Sequence, residues 1–243
     1  MDYGEMIHDA FAYARDGIFK NAGRWLRLIL AIICLGIPLN GYVMRIYRGV
    51  QPAPDVDNWG TLFVDGIKLI IVGLIYAIPI IILWIIIYAR MIMAVVSGDF
   101  TRVGPAMMSG WAPNLALLVV MYVIEIVIAI IVPIASIRFA RTNSFSEAFN
   151  FGEIIGYIGK IGWLNYILAL IIVALVIGIP VGILIFAFVL IAGVSLFALG
   201  ASTVAILAWI IVLVLVLLII MPLVSVFQAR YVTRVYDSIK PAE

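Results

Sequence analysis

Long apolar runs separated by short charged clusters set the pattern of this chain. A bilayer core of about 30 Å takes roughly 20 apolar residues in a helix, and five stretches meet that length. The first runs from about Trp25 to Ile46, the second from about Ile67 to Val95 and the third from about Ala112 to Ile137. The fourth starts at Trp163 and the fifth ends near Gln228. From Ile161 to Ala229 no side chain is charged. A single helix of that length would reach about 100 Å, so the segment reads as two crossings. The small, turn-permissive residues of Gly193–Thr203 are the predicted link. A further turn at Gly178–Gly182 is the six-span alternative, but Pro180 there is more typical of a kink than of an end.

Tryptophans support these edges. Trp25, Trp111 and Trp163 each head an apolar run, where amphipathic rings prefer to sit, whereas Trp84 falls in mid-span. With five crossings, Arg15, Lys20, Arg24, Arg27, Arg90 and Arg102 fall on one side of the membrane. The larger set of Arg45, Arg48, Lys68, Arg138, Arg141, Lys160, Arg230, Arg234 and Lys240 falls on the other, which is then cytoplasmic, with the C-terminus.

Two segments match at one fixed displacement. Asp9–Tyr13 matches Glu147–Phe151, Trp25-Leu26 matches Trp163-Leu164, and Ile29–Ala31 matches Ile167–Ala169. In each copy an amphipathic helix precedes a Trp-headed span. Tyr3, Ile7, Ala10, Phe11, Ala14 and Ile18 share a face of the first, opposite Asp2, Glu5, Asp9 and Asp16. The second opens with the capping box Ser144–Glu147. Such helices lie in the headgroup plane or against the bundle. The expected fold is an all-α integral membrane bundle: five transmembrane helices, two amphipathic interfacial helices and an internal repeat. It reads as one membrane domain, 1–243, with repeat halves 1–95 and 144–236 joined by the third span, 112–137. Three spans between the copies would make the repeat inverted, as in many secondary transporters. The competing explanation is shared composition.

Composition agrees with the pattern. The chain has 243 residues, 66% hydrophobic and 12% charged, far from the soluble range of about 25% charged. Fifteen Lys and Arg stand against 13 Asp and Glu, a balance that gives no reason to expect nucleic-acid binding. Cys34 and His8 are the only residues of their kinds, which excludes an intramolecular disulfide and a Cys/His metal cage. The mixed, acidic Met1–Phe19 segment does not read as a cleavable signal peptide.

Three blocks carry a family resemblance. Asn58–Lys68 leads into a span with Tyr76 and Pro79, Arg141–Phe151 is followed by Gly162–Tyr166, and Ala229–Asp237 closes the chain. In this order they resemble domain-of-unknown-function family 4013 over almost the whole length. The resemblance implies a multi-pass membrane protein of a mostly archaeal family and brings no activity or catalytic residue with it. The apolar stretch between Trp163 and Arg230 is longer than expected for the family.

An ionisable group inside a span is expensive and so draws a functional reading. Glu125, in the third span, is the candidate intramembrane site, with Arg90 as the partner at similar depth and Tyr122 or Tyr76 as hydrogen-bond donors. A structural ion pair is the plainer reading, and proton or cation transport the sharper one. Asp65 and Lys68, one turn apart, read as an interfacial pair. Asp55 and Asp57 crowd oxygens as a cation site does but lack the spacing of a calcium loop. Gly178/Gly182 and Gly152/Gly156 are small-xxx-small pairs suited to close helix approach. Phosphate-cradling, HExxH and Ser/His motifs are absent, so no enzyme, cofactor or metal is expected. The expected role is a non-catalytic scaffold, accessory subunit or lipid-interacting component of the cell membrane. Its partners would be membrane lipids and another membrane protein or a second copy; a small transporter or channel using Glu125 is the alternative.

Overall fold

A computed structural model describes residues 1–109, 115–200 and 202–239, and they form helices joined by turns and by the longer loop 48–58, with no strand among them. Helix α1 (Tyr3–Ala14) starts at the Asp2 side chain, which accepts from the Glu5 amide at 3.0 Å. A π-helical turn, Arg15–Phe19, leads to Asn21, which caps α2 (Ala22–Ile33) by accepting from the Arg24 amide. Helix α3 covers Ile37–Tyr47.

The break between α2 and α3 corrects the first predicted span. Leu35 and Gly36 take left-handed conformations (φ 60° and 69°), and Pro38 sits in the first turn of α3. Proline has no amide to continue a helix across that point and restricts the residue before it. The resulting helices, 12 and 11 residues long, reach about 18 and 16 Å, well short of a bilayer core. Hydropathy alone cannot separate such a helical hairpin from a crossing.

The described residues contain four helices long and apolar enough to cross a membrane, not five. They are α4 (Trp59–Ile87), α7 (Leu115–Thr142), α10 (Trp163–Leu199) and α11 (Thr203–Asp237). The second predicted span runs on through Val95, but the helix ends at Ile87; short α5 (Ala89–Val96) and α6 (Val103–Ser109) follow. Trp111 and the first residues of the third predicted span, 112–114, lie outside the described residues, as does Lys240. The predicted second amphipathic helix is two pieces, α8 (Phe145–Ala148) and α9 (Phe151–Ile161). The long uncharged stretch forms two helices that meet at Gly200 (φ 84°), inside the predicted link, and Pro180 lies within α10, so the six-span alternative falls.

With four long helices, α4 and α10 leave one end of the bundle and α7 and α11 return to it. That end also holds α1, the α2–α3 hairpin, α8 and α9. Arg24 reaches the Asp55 carboxylate while Arg45 reaches the Asp55 carbonyl, so these two arginines share one end rather than opposite faces. Among the described residues two long helices, α4 and α7, lie between the repeat copies. Trp25 heads a 12-residue helix and Trp163 a 37-residue one.

The largest fully buried side chains gather toward this end, with Tyr42, Tyr166, Tyr231 and Phe139 among them. Away from it the long helices expose apolar side chains, such as Ile179, Ile183, Phe197 and Ile211, as surfaces facing lipid do.

Candidate functional site

Helix α11 changes character in its last three turns. Leu217, Ile220, Val224, Phe227, Tyr231 and Arg234 recur every three or four residues and share one face, apolar below and charged above. Helix α1 packs antiparallel over the upper part, burying Met6, Ala10 and Ala14. Two of these are alanines, which let the helix approach closely.

Arg230 anchors the arrangement. It is 2% exposed and grips Asp9 in a forked pair, Nε to Oδ2 at 2.7 Å and Nη2 to Oδ1 at 3.2 Å. Its guanidinium lies 4.8 Å from the centre of the Tyr13 ring. With its amide oxygen turned inward, Gln51 accepts from both Nη atoms at 2.8 Å. A buried guanidinium is tolerable only when its donors are met this fully. Arg234 is looser, with Nη2 3.7 Å from Glu5 and Nε 3.6 Å from Asp9. Tyr13 donates to the Val50 carbonyl at 2.9 Å, and burial pushes its hydroxyl up to about 12. The Tyr231 hydroxyl, fully buried, has no hydrogen-bond partner among the described residues.

Helix α1 divides two clefts. On its acidic side a polar cleft of about 320 Å³ is lined by Asp9, Tyr13, Asp16, Arg24, Gln51 and Arg230. On its other side Phe11 and Ala14 close an apolar groove of about 400 Å³ between α10 and α11. Val176, Pro180, Val181 and Leu184 form one wall of the groove, and Leu217, Ile220, Val224 and Phe227 the other.

Five further ion pairs tie elements together. Arg24 holds Asp55, Arg45 holds Asp57 at 2.6 Å, Arg48 holds Asp65 at 2.6 Å, and Arg141 holds Asp237 at 2.7 Å. Arg138 pairs with Glu147. Arg48 and Arg141 also donate to the Ala140 and Tyr47 carbonyls, joining α3 to α7. The arginines beside Asp55 and Glu147 hold both carboxyls below their ordinary values.

The structure distributes the sequence-predicted residues differently. Glu125 is half-buried on α7, Arg90 is exposed on α5, and no ion pair joins them. Tyr122 is exposed and Tyr76 donates to the Ala148 carbonyl at 2.6 Å, so neither serves Glu125. The groove beside that part of α7 is lined by Ile75, Pro79, Val123, Ile124, Val127 and Phe151, among others, and Glu125 is not in its wall. Asp65 pairs with Arg48, not Lys68, because α3 packs against α4 and brings the Arg48 Nη1 within 2.6 Å of its carboxylate. Asp55 and Asp57 each give one carboxylate oxygen, Oδ1, to an arginine, Arg24 and Arg45 respectively. The Gly178 and Gly182 positions face open space, without a helix against them. Sequence reasoning missed the Arg230–Asp9 pair, whose members are 221 residues apart. Its one local signal is that Arg230 and Arg234 end the uncharged run one turn apart.

Residues 26–192 match the model of a family described as "Protein of unknown function (DUF4013)". Nothing among curated proteins or solved structures matches the chain.

Proposed function

Starting from a chain that belongs to the DUF4013 family, whose description assigns no activity, we propose a non-catalytic membrane component that holds lipid, with one acyl chain in the groove between α10 and α11. The observation that carries this reading is the groove itself: apolar on every wall, formed by the two longest helices, and continuous with their exposed apolar faces at Ile183, Leu215 and Met221. In a bilayer such a groove is filled by hydrocarbon, since water there would meet no polar partner. The charged end, where the basic residues other than Arg90 and Arg102 gather among those described, is the cytoplasmic end by the positive-inside rule. Both α1 and the last turn of α11 then face the cytoplasm. Use of Glu125 in transport draws no support from the apolar groove beside it.

Native mass spectrometry of the detergent-purified protein tests the lipid reading. Wild type should carry co-purified lipid, and Val181→Trp, which fills the groove from one half-buried wall, should lose most of it while keeping its melting temperature. Equal lipid on both proteins would overturn the assignment of the groove.

A further inference from the structure

The two clefts beside α1 together have the shape of an amphiphile: an apolar groove for a chain and, one to two turns further along α11, arginine donors for a headgroup. Helix α1 occupies the junction. Its Asp9 carboxylate sits in the Arg230 fork, its Glu5 carboxylate lies by Arg234, and Ala10 and Ala14 are buried as it runs on to the groove. The Arg fork accepts a phosphate as readily as a carboxylate, because both present two oxygens in one plane at matching spacing. The buried Tyr231 hydroxyl, between Phe227 of the groove and Arg234, is a donor that α1 leaves unmet.

Resting on the lipid reading above, we infer that α1 is a displaceable lid on a site for an anionic phospholipid. The lipid phosphate takes the place of the Asp9 and Glu5 carboxylates on Arg230 and Arg234, with the Tyr231 hydroxyl donating to it, and its chain lies in the groove. Three observations favour displacement over rigid closure. Of the α1 side chains turned to the bundle only Met6, Ala10 and Ala14 are buried, while Tyr3, Ile7 and Tyr13 pack against the core from partly exposed positions. Helix α1 is joined to α2 by a π-helical turn, a form frequent at functional sites, followed by Asn21 outside helical geometry. Once free, its Asp2, Glu5 and Asp9 are repelled by an anionic membrane surface, which keeps the lid open while such lipid is present.

Spin labels on exposed His8→Cys and Lys160→Cys, in a Cys34→Ser background, report the lid, because Tyr3 of α1 donates to the Asn165 carbonyl close to the end of α9. In phosphatidylcholine nanodiscs the distance distribution should have one narrow peak. In nanodiscs with half phosphatidylglycerol a second, longer population should appear, and Arg234→Gln, altering a half-exposed side chain, should remove it. Native mass spectrometry of the same samples reads retained lipid separately. Lipid retained equally in both nanodiscs with an unchanged distance would overturn the lid and leave the lipid reading standing. No retained lipid in either would overturn both. A second population that persists in Arg234→Gln would also overturn the headgroup assignment.

Discussion

A Cβ placed on Gly66 of α4 would lie 1.9 Å from the carbonyl oxygen of Ile37 on α3. One turn away the relation is reciprocal, since a Cβ on Gly41 of α3 would lie 2.0 Å from the Leu62 carbonyl oxygen of α4. The two backbones touch, as small-residue crossings in membranes allow. This crossing fixes the α2–α3 hairpin at the charged end, with Arg48 pairing Asp65 just beyond it. Gly66→Ala and Gly41→Ala should each cost about 3 kcal/mol, because the obstacle is backbone that cannot rotate away. Gly73→Ala, in open space on the same helix, should be neutral or slightly stabilising. Thermal melts in detergent separate the three, and an unshifted Gly66→Ala would show that α3 and α4 do not cross this way.

The four-crossing arrangement is tested by labelling. Single cysteines at Lys20 and at Lys160, in a Cys34→Ala background, should both react from the cytoplasmic side, and one at Ser195 from outside. Five crossings would separate Lys20 from Lys160. Reaction of those two positions from opposite sides would restore the first stretch, Trp25 to Ile46, as a true span.

How legible these features were depends on the range of the interaction behind each. Apolar runs report burial in lipid directly, so α4, α7, α10 and α11 could be read from the chain, as could the turn near Gly200. The break at Leu35–Gly36 was harder, because the side chains on both sides of it are as apolar as those of a span and only Pro38 marked it. Partners of the charged residues were hardest. Asp65 lies one turn from Lys68 yet pairs with Arg48, and Asp9 finds Arg230 from the far end of the chain. Such choices are made by helix packing, which local spacing does not encode. Glu125 stands out by its chemistry, while Arg230, at the edge of an apolar run, reads in the sequence only as one of the basic residues of the cytoplasmic side.

The Arg230–Asp9 pair should behave as a coupled unit. Asp9→Asn leaves a guanidinium, 2% exposed, without its counter-charge, a loss of about 3–5 kcal/mol for a buried pair. Arg230→Gln removes the charge and leaves Asp9 partly exposed, with Arg234 still 3.6 Å away, so its cost should be smaller. The double variant should be more stable than the two single costs predict, a non-additive cycle. Additivity within about 0.5 kcal/mol would mean that the pair contributes nothing as a pair.

Acid should loosen the ties that hold α2 and α8. Arg24 donates to Asp55, and Arg138 with Asn150 donates to Glu147, which lowers both carboxyls from ordinary values of 3.8 and 4.5. A carboxyl depressed in the folded state binds its proton more weakly there than in the unfolded chain. Its contribution is therefore complete above the ordinary value and is lost as pH falls below it through the folded-state value. Melting temperature should stay level from pH 7 down to about 5 and then decline toward pH 3, near the ordinary carboxylate range. Asp55→Asn and Glu147→Gln should each lower the plateau slightly and flatten the decline, since a side chain that cannot ionise has no pH-dependent contribution. A decline equally steep in the double variant would assign the acid sensitivity to other carboxylates.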